Sequence, residues 1–181
     1  MTALPTFRYH PDPIGTGSIV PSSDACACCG EARGFVYAGP VYTEAELDNA
    51  LCPWCIADGS AAEEYDATFV DPAGIGNYGT WDEVPPAVIA EVATRTPGFT
   101  GWQQERWWTH CGDAAAFLGP ADRDELTRRW PGAIPAIRED SAQTDQDWPA
   151  YLAALDQERG PTAYVFQCLK CGQLGGYSDC H

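Results

Sequence analysis

The sequence predicts a mixed α+β fold in which short antiparallel strands and several helices surround cysteine-bearing turns. Three observations support this prediction. The motif C-x-x-C-G occurs twice, at Cys26–Cys29 and at Cys168–Cys171. Segments with strand composition, such as GFVYAGPVY, are short and are interrupted by Gly or Pro. Helical patterns are equally short, as in VPPAVIAEVATR, where Val84, Val88 and Val92 are spaced by four residues on one face.

The first half of the chain divides into three predicted elements. Residues 1–25 are rich in Pro, Gly and Ser, which predicts a non-helical segment that runs extended over the surface, anchored by Phe7 and Tyr9. The run 34–42 predicts a bent strand or two short strands, so that a hairpin follows the first cysteines. A helix should begin at CPWC, because Pro favours the first helical position, although Gly59 weakens it.

The second half is predicted to alternate between helices and strands. The helix of VPPAVIAEVATR should end before Pro97, and the tryptophans of GWQQERWWTHCGD should lie in the core. The pattern allows either a strand or a helical turn for AAAFLG. Helices are predicted over 122–130 and from about 148–158, separated by an acidic loop at 132–147. TAYVFQC and QLGGYS predict two strands joined by a cysteine-bearing turn.

Composition excludes several classes of function. The chain has 181 residues, of which 45% are hydrophobic, so it can bury a core. Its formal charge of −16 disfavours binding to nucleic acids and to anionic membranes. No apolar run is long enough to span a membrane, and the N-terminus lacks the pattern of a signal peptide, which predicts a cytoplasmic protein. Nine cysteines in such a protein are expected to bind metal or to be reactive.

The first cysteine cluster has the spacing of a zinc site. Two cysteines three positions apart at a tight turn can bind one tetrahedral Zn²⁺, and the following Gly permits the turn. A second pair in CPWC follows at a predicted helix start, with 22 residues between Cys29 and Cys52. This order is typical of a treble-clef zinc finger, and it predicts one zinc ion bound by Cys26, Cys29, Cys52 and Cys55. Cys28 is then a spare thiol; a redox-active CPWC dithiol is the alternative.

The second C-x-x-C-G motif, Cys168 and Cys171, has no other C-x-x-C pair to complete it. Its partners are therefore sought among the remaining cysteines and histidines of the second half: His110, Cys111, Cys180 and His181. The preferred set is Cys111, Cys168, Cys171 and one histidine, with Cys180 as a substitute. The sequence thus predicts two structural zinc ions. A buried thiol beside a hydrogen-bonded imidazole is the alternative explanation for His110 and Cys111.

Two catalytic hypotheses compete with purely structural metals. His110, Cys111 and Asp113 are the residue types of a nucleophilic site, although residues adjacent in sequence seldom achieve its geometry. The segment GWQQERWWTHCGD also combines aromatic walls with a few polar groups, which suits a pocket for a small molecule. The polar groups in question are Gln103, Gln104, Glu105 and His110, with Asp58 as a further candidate.

Several segments together resemble the CbrC-type bacterial proteins. They are LPTFRYHPDP, LCPWCIADGSAA, RTPGFTGWQQERWWTHCGD and CLKCG, and the resemblance covers residues 4–119 and 160–175. That family is largely uncharacterised, with a member linked to tolerance of colicin E2. The resemblance implies no catalytic residue or substrate. Cys180 and His181 lie outside the resembling segments, so the resemblance favours His110 as the fourth ligand of the second site.

We therefore expect one compact unit over residues 1–181, with zinc modules at 20–70 and 100–181 as its sub-units. Its acidity favours a binding module for a basic protein, such as the nuclease domain of a toxin. The alternative hypothesis is an enzyme with its pocket around GWQQERWWTHCGD. Nucleic-acid binding is the weakest hypothesis, because Lys170 and dispersed Arg residues provide no basic patch.

Overall fold

The computed structural model describes residues 3–180 and has the mixed α+β architecture that the sequence predicts. The described part contains six short α-helices: α1 (Pro53–Asp58), α2 (Ser60–Tyr65), α3 (Pro86–Arg95), α4 (Arg123–Arg128), α5 (Ile134–Asp140) and α6 (Trp148–Ala154). It contains seven short strands: β1 (Ile19–Pro21), β2 (Phe35–Tyr37), β3 (Thr109–His110), β4 (Asp113–Ala114), β5 (Ala116–Ala121), β6 (Thr162–Gln167) and β7 (Leu174–Asp179). No helix in residues 3–180 is long and apolar enough to cross a membrane.

All strand pairs between these elements are antiparallel. β1 pairs with β2 and β3 with β4, while β6 forms the centre of a three-stranded sheet between β5 and β7. The segment AAAFLG, which the pattern left open, is thus mostly strand. The second cysteine knuckle is the turn between β6 and β7, as predicted.

A cluster of aromatic side chains forms the central core on the three-stranded sheet. Trp107 is completely buried, and Trp108 is nearly so. Phe99 and Phe117 stack with ring centroids 3.9 Å apart, and Phe166 packs against both. The tryptophans Trp107 and Trp108 therefore lie in the core, as the sequence predicts. This core fixes the segment that leads into β3, which carries His110.

The N-terminal segment is more deeply embedded than its composition indicates. Phe7 and Tyr9 are buried and anchor it, as predicted, but His10 is also fully buried and Ile19 begins strand β1. The backbone N–H of Phe117 donates to the carbonyl of Tyr9. The segment is therefore part of the structure on which β5 rests, rather than an extended surface strand.

The buried imidazole of His10 makes the stability of the folded protein depend on pH. Its Nδ1 lies 2.7 Å from the carbonyl oxygen of Pro97 and must donate to it, so Nε2 accepts from the hydroxyl of Thr16, also at 2.7 Å. Burial lowers the pKa of His10 from 6.5 to about 4. The unfolded chain therefore binds a proton that the folded chain excludes, and folding stability falls as the pH falls from about 6.5 to about 4.

We expect the pKa difference of His10 between the folded and unfolded chain to lower the free energy of unfolding by about 3 kcal/mol across that pH window. In urea unfolding at several pH values, the free-energy difference between the native protein and His10→Gln should shrink as the pH falls. All cysteines are common to both proteins, so this difference isolates His10. A difference that stays constant with pH would contradict the assignment of a neutral, buried imidazole.

The first cysteine region departs from the prediction in its strand pairing. The hairpin expected after the cysteines does not form: β2 pairs with β1, which precedes them, so the first knuckle lies inside the β1–β2 connection. β2 also ends at Tyr37, because Gly39 packs its backbone directly against the Tyr37 ring and Pro40 follows it. The predicted helix at CPWC is present but is divided at Gly59 into α1 and α2.

The acidic segment 132–147, predicted as a loop, contains helix α5. Ile134 and Ile137 are spaced for one helical face, and Ile137 is fully buried against the apolar cluster that α4 and α6 share with the sheet. Of the charged residues of α5, Glu139 is exposed, whereas Asp140 is largely buried in an ion pair with Arg106. The neighbouring helix α6 ends at Ala154 rather than near Glu158, because Leu155 adopts an extended backbone.

Two glycines explain how β7 packs against its neighbours. A side chain on Gly175 would collide with the indole of Trp108, and one on Gly176 would collide with the backbone carbonyl of Tyr164. Gly176 also has a φ of 150°. The pair in QLGGYS therefore marks a close approach of the strand to Trp108, next to the second cysteine group.

Candidate metal centres

The sulfur atoms of Cys26, Cys29, Cys52 and Cys55 form one compact group in which all lie within 4.8 Å of one another. The Sγ–Sγ distances are 3.9 Å for Cys26–Cys55, 3.9 Å for Cys29–Cys52 and 3.5 Å for Cys52–Cys55. Four thiolates around a tetrahedral Zn²⁺ lie about 3.8 Å apart, given Zn–S bonds of about 2.3 Å. The group therefore has the dimensions of a zinc site.

The first knuckle is shaped by its backbone hydrogen bonds. Gly30, with a φ of 72°, donates its N–H to the carbonyl of Cys26, and Cys26 donates to the carbonyl of Glu31. The turn places both knuckle sulfurs on one side. The second pair stands at the start of α1, where Cys52 is the N-cap and Cys55 lies in the first turn.

The knuckle and the helix start favour thiolate at Cys26. Burial raises the pKa of the Cys26 thiol, but hydrogen bonds from the backbone N–H groups of Cys29 and Cys52 outweigh it and lower the pKa to about 7. Burial raises the pKa of Cys52 to about 11 and also raises that of Cys55. Such a crowded set of thiols can ionise together only beside a cation, which is the role that Zn²⁺ fulfils.

Cys28 lies outside this group although it belongs to the same turn. It is partly buried, and its Sγ donates to Ser60 Oγ at 3.6 Å. The structure therefore agrees with its interpretation as a spare thiol.

A second group consists of His110, Cys111, Cys168 and Cys171, whose ligand atoms also lie within 4.8 Å of one another. His110 Nδ1 is 3.3 Å from Cys111 Sγ and 3.5 Å from Cys171 Sγ. A tetrahedral zinc ion sets sulfur and nitrogen ligands about 3.6 Å apart. Cys180 is exposed and is not in this group, whereas His181 lies outside the described residues.

Two different turns bring the second group together. The knuckle between β6 and β7 repeats the first one, since Gly172, with a φ of 76°, donates its N–H to the carbonyl of Cys168. The β3–β4 hairpin supplies the other half through a two-residue turn, Cys111–Gly112, with φ values of 58° and 66°. A non-glycine residue with positive φ is uncommon, and its strain is usually retained where function requires it.

Several side chains hold these two turns in place. Lys170, inside the knuckle, donates from Nζ to the carbonyls of Cys111 at 2.9 Å and Gly112 at 3.3 Å. Asp113, directly after the hairpin turn, accepts from Arg8 at 2.7 Å and from the Tyr9 hydroxyl at 3.0 Å. The hairpin is thus tied both to the knuckle and to the N-terminal segment.

The imidazole of His110 is oriented by packing on Trp108, with ring centroids 5.1 Å apart and planes inclined by 12°. Near it, burial raises the pKa of Cys168, but hydrogen bonds from the backbone of Cys171 and from His110 lower it to about 6. Contact with Cys171 and burial raise the pKa of Cys111 to about 11. The second group therefore repeats the electrostatic pattern of the first.

We expect Lys170→Met to weaken zinc binding at the second group alone. Residues that orient metal ligands typically contribute about 10–100-fold to metal affinity. Competition with a zinc chelator should show one ion released more readily and the other unchanged, and Lys170→Arg should restore part of the affinity. Equal zinc affinity in Lys170→Met and the native protein would mean that the hydrogen bonds from Lys170 to the hairpin turn have no role in metal binding.

The polar residues of GWQQERWWTHCGD do not converge on one pocket. Glu105 is buried and accepts from the Tyr42 hydroxyl at 2.6 Å and from the backbone of Asp71, while burial raises its pKa. Gln104 is exposed and donates to the Tyr42 hydroxyl, and Asp58 is exposed beside Ser60. These groups stabilise loops, and the pocket hypothesis loses its basis.

The contacts of Asp113 also argue against a nucleophilic site made of His110, Cys111 and Asp113. Among the described residues, the Asp113 carboxylate accepts hydrogen bonds from Arg8, Tyr9 and the backbone of Ala114, and the His110 imidazole is not one of its partners. Asp113 therefore anchors the hairpin. Sequence reasoning missed Lys170, although one signal was present: it is the single lysine of the chain, and it lies between two cysteines.

The chain was compared with known proteins at the level of families, curated sequences and structures. The model of the uncharacterised protein family UPF0167 matches residues 4–180. A UPF0167 protein of Mycobacterium bovis and one of Mycobacterium tuberculosis are each 51% identical over 97% of this chain and 93% of their own length. A UPF0167 protein of Pseudomonas aeruginosa is 45% identical over 94% of this chain and 93% of its own length. No solved structure matches significantly.

These matches bear on the resemblance to CbrC-type proteins only in part. They agree with it on a bacterial family without an assigned function, but they support neither that name nor a link to colicin tolerance. With a family model that spans almost the whole chain and relatives about half identical to it, the protein belongs to the uncharacterised bacterial family UPF0167.

Proposed function

We propose that the protein binds two structural zinc ions and serves as an acidic module that binds a basic protein. The observation that carries the metal part is the pair of four-ligand groups, each with ligand atoms within 4.8 Å. The ligands of the first ion are Cys26, Cys29, Cys52 and Cys55, and those of the second are His110, Cys111, Cys168 and Cys171. Four protein ligands complete a tetrahedron, which leaves no position for a reactive water.

Within this proposal, the whole chain is one unit with zinc modules over residues 20–70 and 100–181. An apolar cluster that includes Cys26, Cys52 and Cys55 supports the first module, and the central aromatic core supports the second. Each ion then joins segments that are distant along the chain, and so contributes to folding stability.

The binding part rests on charge. The formal charge is −16, and thiolate ligands would make the protein more negative, because four thiolates outweigh one Zn²⁺. An acidic patch lies on the first module, where Thr43 donates to the carbonyl of Tyr65 and brings two segments together. Six exposed carboxylates there form no ion pair within the described residues: Glu44, Glu46, Asp48, Glu63, Glu64 and Asp66. Such a surface complements a basic one.

The partner class follows from the resemblance to CbrC-type proteins. Colicin E2 is a toxin that cleaves DNA, and surfaces that bind DNA are basic. An acidic protein can cover such a surface by electrostatic complementarity. A nuclease domain of this kind in the cytoplasm is therefore the partner we propose.

Calorimetric titration of a colicin-type nuclease domain into the zinc-loaded protein tests this function. We expect binding at low ionic strength that weakens steeply as salt increases. Glu63→Gln/Glu64→Gln should reduce the affinity more than the matched pair Asp82→Asn/Glu83→Gln, which removes two exposed charges elsewhere. Absence of binding at low salt would remove this partner class.

A further inference from the structure

A cavity of about 370 Å³ lies beside the second cysteine group. It is bounded by the loop before α3, by helix α5 and by strand β7. The residues relevant here are Thr80, Trp81, Trp108, Glu139, Asp140 and Gly176. The indole of Trp108 that lines it also stacks on His110, so the cavity adjoins the proposed metal ligand.

Two tryptophans give the cavity aromatic walls. Trp81 is partly buried and Trp108 is 6% exposed, so the position of each ring is set by packing. Gly176 contributes bare backbone to the lining, since no side chain is tolerated there. The opening is therefore maintained by backbone and by packed rings rather than by mobile side chains.

The cavity also carries an unused negative charge. Glu139 is exposed, and its carboxylate forms no hydrogen bond or ion pair with any residue in 3–180. Its neighbour Asp140 is occupied, because Arg106 binds it through two parallel hydrogen bonds of 2.9 and 2.8 Å. The nearby lysine, Lys170, is held by the carbonyls of Cys111 and Gly112.

Arg106 shows how this surface already binds a guanidinium group. Besides its bidentate pair with Asp140, the Arg106 guanidinium lies 4.1 Å from the ring centre of Tyr177 and 5.4 Å from that of Trp81. A planar cation between aromatic rings and a carboxylate is favoured by cation–π attraction and by charge-assisted hydrogen bonds. The same combination of tryptophan and free carboxylate recurs in the cavity.

We propose that this cavity receives an arginine side chain of the basic partner, with the guanidinium against the partly exposed ring of Trp81 and Glu139 as its counter-ion. This inference rests on the proposed function, since it names a contact of that same acidic module. Arginine is favoured over lysine because its flat guanidinium stacks on indole rings, whereas the compact ammonium is more strongly hydrated. The charge of Arg106 does not oppose the ligand strongly, because Asp140 neutralises it.

The test uses the zinc-loaded protein and two short peptides that differ only in a central Arg or Lys. The indole N–H signals of Trp81 and Trp108 are followed by NMR during titration. We expect both signals to shift with the Arg peptide, and the Arg peptide to bind about fivefold more tightly than the Lys peptide. Glu139→Gln should lower Arg-peptide affinity about fivefold, while Glu158→Gln, at an exposed glutamate after α6, should leave it unchanged.

Equal affinity for the two peptides, shifts confined to other residues, or full affinity in Glu139→Gln would each overturn the arginine pocket. Titration with the colicin-type nuclease domain separates this outcome from the proposed function. If the domain binds but the Arg peptide does not, the pocket is wrong and the acidic module stands. If the Arg peptide binds at Trp81 and Trp108 but the domain does not, the pocket stands and the partner is of another kind.

Discussion

The variant Cys55→Ser is expected to lose one of two zinc ions and to unfold the first module, while Cys28→Ser keeps both ions. Cys55 lies 3.5 Å from Cys52 and 3.9 Å from Cys26, Sγ to Sγ, in the four-sulfur group. Serine has nearly the same size but does not ionise, so it removes a ligand without opening a cavity. Structural zinc contributes about 10–16 kcal/mol in zinc-finger peptides. Whole domains are stable by only about 5–15 kcal/mol.

The measurements are elemental analysis of protein purified without added zinc, and thermal unfolding. Cys28→Ser is the matched control, because it makes the same change at a cysteine beside the four-sulfur group and preserves the contact with Ser60. We expect one ion per chain and a large fall in melting temperature for Cys55→Ser. For Cys28→Ser we expect two ions and a change of at most a few degrees. Two ions in Cys55→Ser, or one in Cys28→Ser, would show that the ligand set is wrong.

Residue spacing was sufficient to predict the cysteine pair of each C-x-x-C-G motif. In each C-x-x-C-G motif, local turn geometry alone places two sulfurs together, so the pairs Cys26–Cys29 and Cys168–Cys171 needed no knowledge of the fold. The association of Cys168 with His110 is a tertiary contact across 57 intervening residues. Sequence could restrict the fourth member of the second group only to a short set of candidates; in the structure His110, packed on Trp108, lies beside Cys111, Cys168 and Cys171.

The strand pairing and the helix at α5 were harder to predict for physical reasons. β1 has three residues, and its partner is chosen by the burial of Ile19 against the first module rather than by an alternating pattern. Helix α5 has only two turns and depends on the burial of Ile137, while its last three residues are charged. Short elements that gain their stability from tertiary packing carry little local signal.

The arrangement around Lys170 and Asp113 could not be predicted, because side-chain to backbone bonds between distant segments leave no periodic pattern. Arg8 and Asp113 are 105 positions apart, and Lys170 and Cys111 are 59 apart. Both contacts hold the same hairpin turn. The metal-binding geometry of the second group therefore depends on parts of the chain that motif spacing does not reveal.

The variant Cys168→Ser is expected to lose the second zinc ion and to disorder the turn between β6 and β7, while Cys180→Ser keeps both ions. Cys168 is buried at the end of β6 and belongs to the second group, whereas Cys180 is exposed and lies outside it. Without the ion, the crowded thiols Cys111 and Cys171 have no cation to balance their charge. Trp108 belongs to the central core and stacks on His110 of this group. Loss of the ion should therefore also disturb the core, and we expect the free energy of unfolding to fall by several kcal/mol.

This prediction is tested by measuring the metal content and the near-ultraviolet circular dichroism of the tryptophans in both variants. Trp108 stacks on His110 and would lose its fixed environment in Cys168→Ser, but not in Cys180→Ser. Combining Cys168→Ser with Cys55→Ser should leave no tightly bound zinc, because the two groups share no ligand. If Cys180→Ser instead releases an ion and Cys168→Ser does not, the terminal cysteine is a ligand and the His110 assignment fails. The two single variants, each with a serine control in the same half of the chain, thus assign the ions independently of one another.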